Sequence, residues 1–328
     1  MSKENFWARD LGAGQRVRST FLARDASVRN DSRGVPYLST MLLDKTGSID
    51  ARMWGLPQEL LGGIPEPGYV HVEGQTHEYR GMLQLKVERL RVLRADEVSE
   101  EDYLPVSEQD RRAMAAEVLE AGWSFRDDNL AELFGLIASD KDLWDAFCEA
   151  PAAKTMHHAR LGGLLEHSLQ CMRVAKSLAK LYPVNRDLLV FCAIFHDVGK
   201  VRELSWDLGG FAYTTEGRLI GHVVLGERVI SDYIEQLPDF PKELALHISH
   251  ILLAHQGEQQ FGSPEIPKTL EAILVHFIDN MDARLGMYAE STKNVTDGGW
   301  SHHDNPLRRA LYVPENPESR WNSPSEAT

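Results

Sequence analysis

Histidines and aspartates recur in the second half of the chain at positions where they could share a metal ion. His196 and Asp197 are adjacent at the end of an apolar helical stretch, about 100° apart around the helix axis, so one ion between them can contact both. His167 precedes this pair and Asp279 follows it, both in segments with helical spacing. Imidazole and carboxylate ligands without a thiolate suit a borderline or hard divalent ion. These four residues together predict a metal site.

Later histidines could bind a second ion. The candidate ligands are His222, His255 and His250, with Asp197 shared between the two ions. Two ions about 3.5–4 Å apart can hold both the attacking and the leaving oxygen of a phosphoryl group, and such an ion lowers the pKa of its water towards roughly 7. His250 and His255 are five positions apart and do not share a helix face, so one of them could simply pack.

Lys200 lies one helical turn after Asp197 and could neutralise a phosphate oxygen as a point charge. Asp197 and Lys200 are therefore the predicted catalytic residues, and hydrolysis of a phosphate ester is the predicted chemistry. A lone histidine more often packs or faces solvent than binds a metal. The remaining histidines of this half of the chain are accordingly assigned no role: His157, His158, His247, His276, His302 and His303.

The elements that must position these residues fall into segments of different character, and 328 residues suit two domains. Between residues 15 and 93, apolar and polar residues alternate in five short stretches separated by turns, such as the one at Arg80-Gly81. This predicts an all-β, OB-like barrel over residues 1–95, with an SH3-like barrel as the competing interpretation. Beyond the barrel, apolar residues recur every three or four residues, which is the spacing of a helix. This predicts an acidic helical connector over residues 96–150 and a helical domain without strands over residues 151–293. A polar tail follows over residues 294–328.

The net charge of −14 is uneven along the chain. Residues 1–95 carry +3, residues 96–150 carry −12 and residues 151–328 carry −5. The N-terminal segment alone could therefore face a polyanion. Its candidate contacts are Arg16, Arg18, Arg24, Arg29 and Arg33 for phosphates, and Tyr37, Trp54 and Tyr79 for stacking on bases. Trp54 ends an apolar strand and could equally belong to the core.

Cysteine usage and hydropathy bear on the compartment. Cys148, Cys171 and Cys192 stand singly in apolar helical stretches without a C-x-x-C pair, which is typical of core residues. No apolar run approaches the roughly 20 residues that span a bilayer, and the first ten residues lack the apolar stretch of a secretion signal. The sequence predicts a cytoplasmic protein that does not enter a membrane.

The predicted ligands occur in the order of the HD superfamily, and longer motifs surround them. These motifs are His157-His158-Ala159, Gly162-Gly163-Leu164-Leu165-Glu166-His167-Ser168, Phe195-His196-Asp197-Val198-Gly199-Lys200, Gly221-His222, Gly262-Ser263-Pro264 and Ile278-Asp279-Asn280-Met281-Asp282-Ala283. With the barrel, they resemble the YhaM-type 3′→5′ exoribonuclease family over most of the chain. The resemblance implies a multidomain protein, an OB-fold followed by an all-α HD domain. It also implies degradation of single-stranded RNA, and in some members DNA, with Mn as the expected ion and Co, Ni, Fe, Zn or Mg as alternatives.

One position departs from the family pattern. Members usually have two successive histidines before a glycine, where this chain has His255-Gln256-Gly257. An amide is a poor metal ligand. The chain could therefore bind the second ion weakly, use His250 instead, or work with one ion.

The sequence leaves three functions open. The first is a 3′→5′ exonuclease on single-stranded RNA, with single-stranded DNA as a further substrate. The second is an HD phosphohydrolase acting on a nucleotide or cyclic dinucleotide, which would need no barrel. The third is a non-catalytic nucleic-acid-binding protein, which only Gln256 favours. Assembly into a homo-oligomer is a further expectation.

Overall fold

The computed structural model describes residues 6–31, 33–60, 64, 68–79, 82–99, 102–104, 106–107, 109–154, 160–207, 210–293 and 295–315. The chain divides into two compact units, with the main boundary between Val106 and Ser107. The predicted turn at Arg80-Gly81 and the motif His157-His158-Ala159 lie outside the described residues. None of the described helices is long and apolar enough to cross a membrane.

The N-terminal unit is a closed barrel of five strands. These are β1 (Arg16–Asn30), β2 (Pro36–Asp44), β3 (Gly47–Trp54), β4 (Gly68–Tyr79) and β5 (Met82–Leu93). The strand order is β1-β2-β3-β5-β4, and pairing of β1 with β4 closes the barrel. Strands β3 and β5 are parallel, whereas the other neighbouring pairs are antiparallel. The prediction of an OB-like barrel is confirmed.

The alternating pattern of the strands explains why they close around an apolar interior. Successive side chains of a strand point to opposite faces, so every second residue can enter the barrel. Fully buried residues include Val17, Phe21, Leu38, Leu42 and Val72. The register of β4 against β5 shifts at Gly74, where a Cβ would overlap with the backbone carbonyl of Lys86. Glycine therefore permits the close approach of the two strands at this bulge.

The second unit is mainly helical. Its helices are α1 (Arg111–Trp123), α2 (Asp128–Ser139), α3 (Lys141–Glu149), α4 (Gly163–Leu178), α5 (Arg186–Phe195), α6 (Lys200–Glu203), α7 (Thr215–Ile220), α8 (His222–Ile234), α9 (Lys242–Ala254) and α10 (Leu270–Thr292). The prediction of a helical domain is confirmed. The expectation that residues 151–293 contain no strands is wrong, because β6 (Leu204–Asp207) and β7 (Gly210–Tyr213) form a two-stranded sheet. Strands of four residues are too short to show a clear period of two.

Helices α1 to α3 belong to the same packing unit as the helices that follow. The ring of Phe134 in α2 lies 5.8 Å from that of Phe195 in α5, and α1 and α3 both contact α4. Three of the acidic residues of this segment cap helices. The side chains of Asp110, Asp127 and Asp140 accept backbone hydrogen bonds at the starts of α1, α2 and α3, respectively. The structure thus joins residues 107–150 to the helical unit rather than leaving them as a separate connector.

Helix α5 is the centre of the helical unit. Every residue from Asp187 to Phe195 is buried, and α5 contacts α2, α4, α9 and α10. A helix buried on all sides must be apolar on all faces, which the run Leu188–Phe195 provides. The end of this helix, where His196 and Asp197 follow, is consequently buried as well.

Residues 298–313 fold back on themselves and form what is called here the C-terminal hairpin. Trp300 and Tyr312 form an isolated β-bridge within it. The hydroxyl group of Tyr288 in α10 donates to the carbonyl oxygen of Tyr312 at 2.7 Å. The first part of the predicted polar tail is therefore tied to α10, whereas residues 316–328 lie outside the described residues.

Candidate metal centre

The end of α5 positions His196 and Asp197. The backbone N–H of His196 donates to the carbonyl oxygen of Cys192 at 2.8 Å, so His196 continues the helix. The N–H of Lys200 then donates to the carbonyl oxygen of Asp197 at 2.9 Å, and α6 begins. His196 and Asp197 are each 1% exposed. Two polar side chains are thereby held in the core of the helical unit.

Gly199 brings the start of α8 close to this turn. A Cβ at Gly199 would overlap with the carbonyl oxygen of His222 and with the backbone of Gly226. Only glycine leaves room for the backbones to approach this closely. The glycine that follows the His-Asp pair thus places His222 next to Asp197.

The first ligand group consists of His167, His196, Asp197 and Asp279. Nε2 of His167 lies 3.0 Å from Nε2 of His196. Oδ2 of Asp197 lies 3.5 and 3.6 Å from these two nitrogens, and Oδ1 of Asp279 lies 3.4 and 3.8 Å from them. Ligands that bind one ion at about 2.0–2.2 Å are separated by distances of this size. The structure therefore brings together the four residues predicted for the first ion.

The second ligand group consists of Asp197, His222 and His255. Oδ1 of Asp197 lies 3.4 Å from Nε2 of His222 and 3.6 Å from Nε2 of His255. This oxygen accepts no hydrogen bond from the described residues, although it is buried. One carboxylate oxygen of Asp197 thus faces the first group, and the other faces the second.

All four histidines are held through Nδ1, so that Nε2 faces the carboxylates. Carboxylates hold two of them: Nδ1 of His167 lies 2.7 Å from Asp282, and Nδ1 of His222 lies 3.0 Å from Glu203. Backbone carbonyl oxygens hold the others, that of Ala193 for His196 at 3.0 Å and that of Leu252 for His255 at 2.6 Å. Partners of this kind orient metal-binding histidines in proteins.

This arrangement fits a cation. A neutral imidazole that donates through Nδ1 presents a lone pair at Nε2. Nε2 of His167 and Nε2 of His196 lie 3.0 Å apart, beside two carboxylates. Two nitrogens at this distance need a positive charge between them, either a proton on one of the rings or a metal ion. The donor set therefore suits a divalent ion of borderline or hard character.

Without an ion, the buried groups of the centre differ in protonation. Burial alone would lower the pKa of His167, but the thiol of Cys171 and the carboxylates of Asp279 and Asp282 raise it well above its usual range, so this ring carries a proton that a metal ion would displace. Burial lowers the pKa of His196 to about 4, so its imidazole is neutral near pH 7. Burial alone would raise the pKa of Asp197, but the nearby ammonium group of Lys200 lowers it well below its usual range. Asp197 is therefore an ionised carboxylate that can bind a cation.

Lys200 and Gln256 lie at the edge of the centre. Nζ of Lys200 lies 2.6 Å from Oδ2 of Asp197, so the predicted catalytic lysine is paired with the shared carboxylate. Nε2 of Gln256 lies 3.4 Å from Nε2 of His222 and 3.2 Å from Nε2 of His255. The residue that departs from the family pattern thus faces the second ligand group.

His250 belongs to neither group, which corrects its assignment as a predicted ligand. Its Nε2 accepts a hydrogen bond from the backbone N–H of Lys268 at 3.0 Å. His250 lies on α9 itself, whereas His255 follows the end of α9 and is fully buried. The separation of the two residues around the helix explains why only His255 reaches Asp197.

The cysteines are unpaired, and one of them lies near the centre. Cys171 and Cys192 are buried, as predicted for core residues, and Cys148 is partly buried. Sγ of Cys171 lies 3.8 Å from Nε2 of His167. Burial raises the pKa of this thiol to about 11, so it is protonated near neutral pH and is a weaker ligand than the carboxylates.

Asp282 and Glu203 support the centre but were given no role from the sequence. Asp282 lies three residues after Asp279, and this spacing places both on one face of α10. That spacing could have indicated a second functional carboxylate. Glu203 is the last residue of the short helix α6 and accepts hydrogen bonds from both the backbone and the ring of His222. No motif in the sequence marks it.

The barrel presents an aromatic pair on β2 and β3. The rings of Tyr37 and Trp54 stack with centroids 5.5 Å apart, and the guanidinium group of Arg52 lies 5.7 Å from the centroid of Tyr37. Trp54 is 39% exposed, so it does not belong to the core. Tyr79 is also exposed, at the end of β4.

The predicted phosphate contacts of the barrel are partly engaged within the protein. Arg16 pairs with Glu88, and Arg18 pairs with Glu73, both at 3.3 Å. All four side chains are at least partly exposed, so these pairs are weak. Arg16 and Arg18 can exchange their partners for phosphates at little cost. Arg24, Arg29 and Arg33 lie on or just beyond β1.

Comparison with known proteins finds a family match in the helical unit and relatives along almost the whole chain. The HD domain family matches residues 164–284, which contain all the ligands of both groups. The 3′-5′ exoribonuclease YhaM of Geobacillus sp. strain WCH70 is 33% identical over 92% of this chain and 93% of its own. The protein of the same name from Listeria monocytogenes serotype 4b is 34% identical over 93% of this chain and 97% of its own. That of Bacillus subtilis is 31% identical over 92% of this chain and 96% of its own.

An OB-fold barrel followed by a buried His-Asp cluster in a helical unit defines an HD-domain hydrolase that binds a divalent metal ion. The matching relatives extend over almost the entire chain. The chain therefore belongs to the YhaM family of 3′-5′ exoribonucleases, and the resemblance seen in its motifs is confirmed.

Proposed function

We propose that the protein removes nucleotides from the 3′ end of single-stranded RNA by metal-dependent hydrolysis of phosphodiester bonds. The observation that carries this proposal is the position of Asp197, whose two carboxylate oxygens each face a pair of imidazole nitrogens. The names of the relatives supply the substrate and the direction. Manganese is the expected ion, with Co, Ni, Fe, Zn or Mg as alternatives. Imidazole nitrogens together with carboxylate oxygens can bind each of these ions, although with different affinities.

A divalent ion held by these residues would polarise the scissile phosphate and generate a nucleophile from water near neutral pH. His167, His196, Asp197 and Asp279 would hold one ion, and Asp197, His222 and His255 would hold another. Asp282 holds the ring of His167, and Glu203 holds the ring of His222. The ligands are therefore already oriented when substrate binds.

Lys200 acts on both the centre and the substrate. Burial alone would lower its pKa, but the carboxylate of Asp197 outweighs this effect and raises it, so Lys200 carries a positive charge. Its ammonium group stabilises the ionised form of Asp197. Because Lys200 also lines the cavity beside the centre, it can contact a phosphate oxygen that enters there.

The barrel would hold the single strand. Bases stack on aromatic rings without strong sequence preference, at about 1–3 kcal/mol for each base. The exposed pair of Tyr37 and Trp54 offers such a surface, and Arg52 adds a positive charge next to it. Tyr79, Arg16 and Arg18 are further contacts. Single-stranded DNA has the same stacking faces and phosphates and is the expected second substrate.

Hydrolysis of a nucleotide or cyclic dinucleotide is the second candidate function. The cavity beside the first ligand group has a volume of about 500 Å³. Pockets that hold small molecules have volumes of about 300–1,000 Å³. A small nucleotide could therefore occupy it without the barrel.

A labelled oligoribonucleotide incubated with pure protein and manganese tests the proposal. A single strand labelled at its 5′ end should give a ladder that shortens from the 3′ end, whereas a duplex or a circular strand should resist. Asp197→Asn serves as the inactive control. Resistance of the single strand, with rapid turnover of a cyclic dinucleotide, would favour the second candidate.

Two further expectations concern the protein in the cell. A cytoplasmic location is supported by the unpaired state of all three cysteines. Fractionation of cells that contain the tagged protein tests it. Assembly into a homo-oligomer remains a prediction, and light scattering coupled to size-exclusion chromatography measures it directly.

A further inference from the structure

The cavity beside the metal centre is lined by two sets of residues. One set belongs to the centre and includes His167, Asp279 and Lys200. The other set comes from the face of α10 and from the C-terminal hairpin, and it includes three arginines: Arg284, Arg308 and Arg309. A space that adjoins several carboxylates and histidines therefore also has a strongly basic lining.

None of these three arginines forms a salt bridge with a carboxylate of the described residues. Nε of Arg284 donates to the side-chain oxygen of Asn280 at 2.6 Å, and Nε of Arg309 donates to the carbonyl oxygen of Leu307 at 3.1 Å. Both acceptors are neutral oxygens, so these hydrogen bonds do not neutralise the positive charges of Arg284 and Arg309. By contrast, Arg16 and Arg18 of the barrel pair with glutamates.

The turn that carries two of the arginines is held in a defined conformation. Arg308 has a φ of +52°, which is uncommon for a residue other than glycine. The side chain of Asn305 spans the turn. Its amide nitrogen donates to the carbonyl oxygens of His302 and Arg309, both at 2.6 Å, and its oxygen accepts from the N–H of Leu307 at 2.9 Å. A costly backbone conformation that is fixed in this way frequently serves a function.

The C-terminal hairpin is in turn anchored to the helical unit. The N–H of Ser301 donates to the carbonyl oxygen of Leu311 at 2.8 Å, and Leu311 is buried. The hydroxyl group of Tyr288 holds the carbonyl oxygen of Tyr312. The arginines thus stand on a folded element rather than on a loose tail.

We propose that Arg308 and Arg309, together with Arg284, bind phosphate groups of the substrate strand next to the scissile bond. The inference rests on the proposed function, because it concerns the substrate of the same centre. Guanidinium groups form paired hydrogen bonds with phosphate oxygens and do not lose their charge. The C-terminal hairpin is then part of the substrate site.

A phosphate site in the helical unit differs from the barrel in its dependence on strand length. A short oligoribonucleotide that reaches only the metal centre would still contact the arginines. Substitution of the arginines should therefore weaken short and long strands alike. Substitution of Tyr37 and Trp54 should weaken long strands only.

Binding of a short fluorescent oligoribonucleotide with non-hydrolysable linkages, measured by anisotropy on the metal-loaded protein, tests the inference without turnover. The double substitution Arg308→Gln with Arg309→Gln should weaken binding about tenfold or more, because at least one charged hydrogen bond to the strand disappears. The slope of log affinity against log salt should become shallower by about 0.7 for each phosphate that the protein no longer neutralises. KM should rise more than kcat falls, and the metal content should equal that of the wild type.

Two variants make the test decisive. Arg308→Gly suits the positive φ and cannot unfold the turn by strain, so weaker binding in this variant reports the absence of the charge. Arg218→Gln removes another exposed arginine, on α7, that does not line the cavity, and this variant should bind as the wild type does. If the wild type cleaves RNA, and the folded Arg308→Gly and double variants bind the strand as tightly as the wild type does, this inference alone is overturned. Absence of RNA cleavage by the wild type would overturn the proposed function as well.

Discussion

Nδ1 of His167 lies 2.7 Å from Oδ2 of Asp282, although the two residues are 115 positions apart in the chain. Asp282 lies on α10 one turn after the ligand Asp279. The same helix therefore provides a ligand for the first ion and the carboxylate that orients another ligand. Such a partner fixes the ring of a metal-binding histidine and makes it more basic.

Asp282→Ala should weaken binding of the first ion by about 10- to 100-fold, because the ring of His167 loses its orienting partner. Asp282→Asn can still accept the hydrogen bond and should lose less. Titration calorimetry with manganese measures both effects. Glu290→Ala, an exposed carboxylate on the same helix, should leave the affinity unchanged. Equal affinity in Asp282→Ala and in the wild type would show that the hydrogen bond does not support the centre.

Asp197→Asn should abolish hydrolysis of RNA, since it removes the charge that both ligand groups share and leaves the side-chain volume almost unchanged. Metal content should fall with activity, whereas most RNA binding should persist. Metal analysis and circular dichroism of the same sample separate loss of metal from loss of fold. Asp239→Asn, an exposed aspartate, is the matched control. A folded Asp197→Asn protein with full metal content and normal turnover would contradict the assignment of the centre.

Gln256→His should tighten the second ion. The amide nitrogen of Gln256 lies 3.4 Å from Nε2 of His222, so an imidazole at this position can add a nitrogen ligand to the second group. The metal concentration that gives half-maximal rate should decrease. Gln259→His, three positions further on and exposed, should not change it. If both substitutions leave the metal dependence unaltered, position 256 does not contribute to the centre.

Gly199→Ala should destabilise the helical unit and displace His222. The added Cβ would overlap with backbone atoms of His222 and Gly226, which cannot move aside as a flexible side chain can. Overpacking of this kind costs about 1–3 kcal/mol, and occasionally more. Urea unfolding measures this decrease in stability. Gly12→Ala, whose Cβ would meet only the side chain of Gln15 at 3.9 Å, is the tolerated counterpart.

Tyr37→Ala combined with Trp54→Ala should slow degradation of long single strands and spare a dinucleotide. Two contacts on one strand reinforce each other through effective concentration, and a dinucleotide bound at the metal centre cannot use the barrel. Comparison of kcat/KM across a series of strand lengths measures the effect. Val92→Ala, another exposed apolar residue of the barrel, controls for general destabilisation. A parallel loss on the dinucleotide would mean that the double variant damages more than strand binding.

The period of each segment predicted a small barrel followed by helices, and the motifs identified these as an OB-fold and an HD domain. Alternation through β1 to β5 requires a sheet with one buried face, and the apolar faces of α4 and α5 require a helical core. The order of His167, His196, Asp197 and Asp279 predicted the first ligand group because those ligands occur in distinctive motifs. Trp54 could not be assigned from the sequence, since a tryptophan at a strand end has the same pattern whether it faces the core or solvent.

The remaining features depend on distances between elements, which the local sequence does not contain. Asp282 acquires its role only when α10 packs beside α4. The sequence indicates that His250 and His255 do not share a helix face, but only the position of α9 shows that His255 is the one that reaches Asp197. The hairpin arginines lie in a segment whose polar composition resembles a loose tail, yet buried Leu311 ties that segment down.

The ligands of the centre come from α4, α10 and the ends of α5, α8 and α9, elements that are far apart in the sequence. An ion bound there joins these elements as a covalent crosslink would, and the unfolded chain offers no comparable site. At a free ion concentration of about 100 times its Kd, such an ion adds about 2.7 kcal/mol to the free energy of unfolding. Removal of the metal should therefore lower the thermal stability of the protein together with its activity.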